Sequence, residues 1–221
     1  LNGSKNVILE KTTGAGYYGT NDFRYKAIEG ISLHKGEILY FELVGYVDEK
    51  PIMPAHPIKD ELKPLRKQYG EQMVYKYGLL PGQCDIYVYK IVRMNEDGVG
   101  VDMPWQQVKG RCKELGLKYV PELESPVCLA DTDTLGELVE RLVEGPSTLD
   151  SSHIREGVVL RVESELETLY VKHKSFTFGV LEGYVKDSDD YVDTEEAEES
   201  TTDDGSVPGG GIGITVTDCV D

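Results

Sequence analysis

The chain has 221 residues, 39% of them hydrophobic, and a formal net charge of −17 at pH 7. No run approaches the roughly 18 apolar residues that a membrane helix requires, which excludes a spanning helix. Cys84, Cys112, Cys128 and Cys219 are far apart, with no Cys-x-x-Cys pair; this argues against a zinc site and fits a reducing, intracellular and cytoplasmic setting.

At the N-terminus, Gly3-Ser4-Lys5-Asn6-Val7-Ile8-Leu9 precedes Lys11-Thr12-Thr13-Gly14 and a Gly14-Ala15-Gly16 turn. A helix is expected over residues 22–30. Residues 37–46 read as a largely apolar strand with Glu42 in its middle. A carboxylate inside such a run needs an ion pair, a metal or a ligand hydroxyl.

Residues 47–82 are rich in Pro, Lys, Tyr and Gly. Basic and aromatic residues together can track a nucleic-acid strand by charge and stacking, and the same composition suits a loop with packing tyrosines. Residues 84–92 form another strand, with Tyr87 and Tyr89 on one face and a ring placed to stack on a nucleobase.

Helical spacing marks residues 105–115 and 132–144, the latter capped by Asp131 or Asp133 and closed by Gly145-Pro146. Leu135, Leu138, Val139, Leu142 and Val143 recur on one face as core. Next, Arg155-Glu156-Gly157-Val158-Val159-Leu160-Arg161 is an apolar strand opened by a Glu-Gly pair. After a hairpin-length gap, Tyr170-Val171-Lys172-His173-Lys174-Ser175 places Lys172 and Lys174 on one face and His173 on the other. One carboxylate and two ammonium groups in one pocket suit a nucleoside triphosphate and its metal. His34, His56, His153 and His173 have no metal-ligand spacing and are assigned no chemistry.

Residues 186–221 carry one lysine and twelve acidic residues, a net −11, which leaves −6 on residues 1–185. That composition predicts an acidic, disordered tail after a folded domain over residues 1–185, although the run 212–216 can add a strand. The mildly acidic body leaves room for a basic groove around Lys5, Arg161, Lys172 and Lys174, with salt-sensitive nucleic-acid affinity.

The segments around Glu42, Tyr89, Glu156 and Lys172/Lys174, in this order, resemble the ATP-dependent RNA ligases of the covalent nucleotidyltransferase superfamily, of the phage and editing type. The resemblance implies an α+β nucleotidyltransferase domain, an ATP-grasp-like ligase adenylation fold with antiparallel sheets and flanking helices. It implies ATP and Mg²⁺ as cofactors and RNA ends, with DNA ends as alternatives, as partners. Glu42 would hold the ribose hydroxyls and Tyr89 would stack on adenine, within Tyr89-Lys90-Ile91 where the family has Phe-Asp-Ile. Glu156 would bind the metal, Lys172 and Lys174 the phosphates, and these three would carry the catalysis. The Ser4-Lys5 segment resembles the family's Ser-Arg, so Lys5 would contact phosphate or substrate without bidentate geometry. Residues 47–82 resemble the insertion that these ligases carry between the ribose and adenine strands.

The family's Lys-x-Asp-Gly nucleophile segment precedes Ser-Arg and is expected before Leu1, supplied by an upstream fragment. The chain alone is then expected to fail at self-adenylylation and to act only on RNA already carrying a 5'-adenylate. Lys11 is the alternative nucleophile, with Thr13 where the family has an acidic residue. A non-catalytic nucleotide- or RNA-binding remnant is the second reading. DNA ligases and capping guanylyltransferases of the same superfamily add an oligonucleotide-binding barrel that the acidic tail is too short and polar to form.

Overall fold

A computed structural model describes residues 3–4, 7–8, 22–127, 132–164, 167–183 and 213–220. Lys5, Lys11 and Asp131 lie outside the described residues, as does the side chain of Asp133. Two principal sheets organise what is described. The first is built on β1 (Glu37–Val47) and β2 (Cys84–Met94), antiparallel neighbours with nine paired positions, flanked by Lys50–Pro51 on one side and β3 (Gly100–Asp102) on the other. A short parallel strand, Lys118–Tyr119, also pairs with β2.

The second sheet has four antiparallel strands: β4 (Glu122–Val127), β5 (Gly157–Glu163), β6 (Thr168–Lys174) and β7 (Gly213–Asp218), in the spatial order β4, β7, β5, β6. Helices are few: α1 (Asp22–Ala27), α2 (Lys63–Tyr69), α3 (Trp105–Leu115), α4 (Thr132–Val143) and α5 (Phe176–Glu182). This mixed organisation, sheets mainly antiparallel and helices at their faces, is compatible with an α+β chain.

β7 overturns part of the expected domain boundary. The run expected to add a strand does so in the middle of the second sheet, pairing with β5 from Val158↔Asp218 to Glu163↔Gly213 and with β4 on its other side. Ile214 and Val216 alternate inward and are buried, Val216 against Leu138, Val143, Val158 and Leu160 under α4. Residue 185 therefore does not end the folded body. Residues 184–212, where most of the tail's acidic charge lies, are outside the described residues.

The 47–82 segment is also more ordered than its composition suggests. It contains a short antiparallel pair, His56–Pro57 with Gln72–Met73, and α2, which carries Pro64 in its first turn where a missing N–H costs no hydrogen bond. Tyr75 and Tyr77 are 1% and 4% exposed in the main core, beside Met73, Ile154 and Phe178. Those two rings pack; they do not offer a stacking surface. α5 adds a helix beyond those expected: Ser175 caps its start by accepting from the Phe178 amide at 3.0 Å and left-handed Gly183 ends it.

α3 packs on β2 with Trp105, Val108 and Cys112 nearly inaccessible. Cys112 behaves as a small apolar residue, and burial pushes its thiol up to about 11. At the outer edge of this layer, Arg111 holds the buried Glu37 carboxylate through Nε and Nη2 (3.1 and 2.9 Å), while the His34 amide donates to it at 2.8 Å. Burial opposes ionisation of Glu37, but these hydrogen bonds prevail and hold its pKa below the usual value. Its contribution to stability is therefore present above the unfolded carboxylate pKa and lost as pH falls through the lower folded one. Urea denaturation across acidic pH should show a Glu37→Gln protein that is less stable at neutral pH and whose midpoint changes less on acidification than that of the wild type.

Candidate active site

The Glu-Gly corner and the Lys-x-Lys strand meet through the β5–β6 register, which sets Gly157 opposite Lys174 and Val159 opposite Lys172. Gly157 is required by the close approach: a Cβ there would stand 2.2 Å from the His173 carbonyl oxygen and 2.7 Å from Lys174 Cα. Lys172 Nζ lies 2.9 Å from Glu156 Oε1; the carboxylate side chain is 1% exposed and the lysine 36%. So the protein itself supplies one anion for the lysine pair, while Lys172 keeps a solvent-facing share. His173, as alternation requires, is exposed on the other face.

The main chain at this corner is held from three sides. The Ser175 amide donates to the Glu156 carbonyl (2.8 Å), Cys219 to Gly157 (3.1 Å) and Arg155 to Gly145 (2.8 Å). Beneath it, Asp218 at the end of β7 accepts from the Thr148 amide and hydroxyl (3.0 and 2.8 Å), and its other oxygen lies 3.5 Å from Arg155 Nε. Burial raises the Asp218 pKa, against the pull of these partners.

His153, fully buried, joins this support, and nothing in the histidine spacing signalled it. Its Nδ1 lies 2.9 Å from the Ile154 carbonyl and its Nε2 accepts from the Tyr77 amide at 3.3 Å, an arrangement that requires the neutral ring protonated on Nδ1. Tyr75 and Tyr77 meet the ring edge-on. The loop leading to Glu156 is thereby locked to the 47–82 segment.

The facing wall is the first sheet. Glu42 stands on β1 opposite Tyr87, half-buried, and further along the same strand Gly45 has φ +100° and a Cβ there would be 2.5 Å from the Gln83 carbonyl oxygen. Tyr89 departs from simple alternation. Phe41 pairs with Val88 and Tyr40 with Lys90, so Tyr89 is an extra residue in a β-bulge, which re-aims its ring to 6.2 Å from that of Tyr40. Lys90 lies 3.0 Å from Asp102 and over the rings of Tyr40 and Tyr170.

Tyr170 ties the walls together. From β6 it donates to Asp102 Oδ2 at 3.0 Å and accepts from Arg161 Nη1. Arg161 is 2% exposed and also donates to the Met103 carbonyl (2.6 Å) and Glu163 (2.7 Å), whose carboxylate accepts the Trp105 amide (2.6 Å). Burial, helped by Asp102 and opposed by Arg161, raises the Tyr170 pKa, so the phenol stays protonated.

Of the residues expected from sequence, Glu156, Lys172 and Lys174 are brought together on one corner, and Glu42 and Tyr89 stand on the sheet that β6 meets through Tyr170. Among the described residues no group of three or more His, Cys, Asp or Glu converges as a metal cage. A single carboxylate beside lysines nevertheless fits Mg²⁺, which takes one or two carboxylates and completes its shell with phosphate oxygens and water.

The family model described as RNA ligase matches residues 10–178. That span takes in Glu42, Tyr89, Glu156, Lys172 and Lys174 and begins after Lys5. No curated protein and no solved structure gives a significant match.

Two expectations follow from the support of this corner. Gly157→Ala should force β5 and β6 apart at a cost of at least about 1–3 kcal/mol, read as a lowered urea midpoint. Burial lowers the His153 pKa, so the folded chain binds that proton less readily than the unfolded one and stability declines as pH falls below about 6.5. In urea titrations over that range, His153→Gln should start from a lower stability and lose less of it.

Proposed function

Because the chain belongs to the RNA ligase family, we propose that it takes part in ATP-dependent joining of RNA 5'-phosphate and 3'-hydroxyl ends, on a nucleotidyltransferase fold. The observation that carries this reading is the Glu156–Lys172 pair at 2.9 Å with Lys174 set opposite Gly157, a carboxylate and two cations at one strand corner.

Three displacements at phosphorus make up the chemistry. A lysine amine attacks the ATP α-phosphorus and pyrophosphate leaves; the RNA 5'-phosphate oxygen then attacks the lysyl-AMP phosphorus and the amine leaves. Finally the 3'-hydroxyl attacks the 5'-phosphate phosphorus, and AMP departs as the phosphodiester forms. Each step develops charge on phosphoryl oxygens, which Lys172 and Lys174 would stabilise; their shared strand face supports that reading. Mg²⁺ held at Glu156 would supply further neutralisation of that charge. Glu42 would orient the ribose and Tyr89, re-aimed by the bulge, the adenine. The adenylylated lysine is not assigned to any described residue.

The test is joining of a pre-adenylated RNA to a 3'-hydroxyl acceptor with Mg²⁺, run beside α-labelled ATP. Lys172→Ala and Glu156→Gln should each slow joining by roughly 10²-fold or more without loss of folding. Label retained after denaturation and mapped to Lys11 would place the nucleophile there. A wild-type protein that binds nucleotide and joins nothing would leave the binding-module reading, and equal joining of DNA would widen the substrate.

A further inference from the structure

Residues 50–76 carry six basic and three acidic residues, a net +3 within a chain of net −17. The surplus is concentrated on the outside. Lys63 and Lys67, four apart on α2, are exposed, as are Lys59 and Lys76, and no ion pair engages these four among the described residues. Arg66 is the exception, bound between Asp60 and Glu71. On the inner side Leu62, Leu65 and Tyr69 pack against the core, which fixes the helix with its lysines outward.

The placement of this surface matters as much as its charge. Three contacts fasten the segment to the two sides of the candidate site: the Tyr77 amide to His153 and the Gly78 amide to Asp150 (3.0 Å), in the loop that leads to Glu156, and His56 to Glu182 (2.6 Å), on the helix that follows Lys174. The stretch that carries α2 is thereby fastened, on either side of the helix in sequence, to the elements that lead to Glu156 and follow Lys174.

We infer that the outer face of residues 50–76, centred on Lys63 and Lys67, holds the sugar-phosphate backbone of the RNA strand whose end enters the site. The inference rests on the RNA-joining reading. Its physical content is electrostatic: with Tyr75 and Tyr77 buried, the surface offers charge and not stacking, so binding is independent of base sequence and strongly dependent on salt. The acidic remainder of the chain repels phosphate, which sharpens the contrast between this face and the rest.

The decisive measurement is fluorescence anisotropy of a short 5'-phosphorylated single-stranded RNA across a salt series, using the whole chain. Lys63→Glu/Lys67→Glu should weaken affinity at low salt by roughly tenfold or more and reduce the slope of log affinity against log salt by about one or more. Lys35→Glu/Lys113→Glu makes the same charge change at exposed positions elsewhere and should leave the slope unchanged. Lys59→Glu/Lys76→Glu should follow the first pair, which secures the result if one variant folds poorly. Equal losses in the test and control pairs, or none in either, overturn the inference and leave the ligase reading intact. Selective loss in the test pair combined with no joining of pre-adenylated RNA would keep the surface and remove the ligase reading. A wild-type chain with no RNA affinity removes both.

Discussion

A guanidinium buried between two sheets sets the geometry of this protein. Arg161 is nearly inaccessible, and burying its charge is tolerated only because the fork is filled: Glu163 at Nε, the Met103 carbonyl at Nη2 and the Tyr170 hydroxyl at Nη1, with the Trp105 and Tyr170 rings within 6 Å. These partners come from β5, β6 and the start of α3. Through Tyr170 and Asp102 the same network reaches β3, and through Lys90 it reaches β2 beside the bulge at Tyr89. The two walls are thus joined by directional polar contacts in addition to the apolar core they share. A lysine at 161 would keep the charge and lose the fork.

A second constraint comes from β7. By occupying the space between β4 and β5 it completes the sheet whose one face packs on α4 and whose other bears Arg161 and Lys172. Asp218 then anchors its end to Thr148 and Arg155, directly under the Glu-Gly corner. The main chain at Glu156 and Gly157 is consequently held from both sides, by the Ser175 amide just after β6 and by the Cys219 amide just after β7. Preorganisation of this kind would serve the proposed phosphoryl transfer, whose work is mostly positioning and charge stabilisation.

The 47–82 segment is drawn into the same architecture. Its tyrosines and His153 form an aromatic cluster below the loop that leads to Glu156, so the segment stiffens the site from within while turning its lysines outward. Local composition alone left open whether those aromatic residues were ligands or packing. Burial settled it for Tyr75 and Tyr77.

Much of this was legible in the sequence because it depends on local periodicity. The strand carrying Glu42 and the one opened by Glu156 were visible as apolar runs, that carrying Tyr89 as a run with two tyrosines on one face, and the Lys172/Lys174 strand by its alternation. The helix at Trp105–Leu115 appeared with its observed bounds, and period-two alternation put Lys172 and Lys174 on one face and His173 on the other. What stayed hidden is non-local. The central place of β7 follows from pairing across a long acidic stretch, which no window of residues reports. The bulge at Tyr89 is a property of two strands in register, not of one. Asp218 gains its role from Thr148 and Arg155, far away in the chain, and His153 and Arg161 each need a distant partner, Tyr77 and Met103, beside their near ones. Sequence by itself determined which side chains share a face, because alternation is fixed by strand geometry; the tertiary structure decided which faces meet and which charges are paired, because burial and hydrogen bonding depend on residues that only folding brings together.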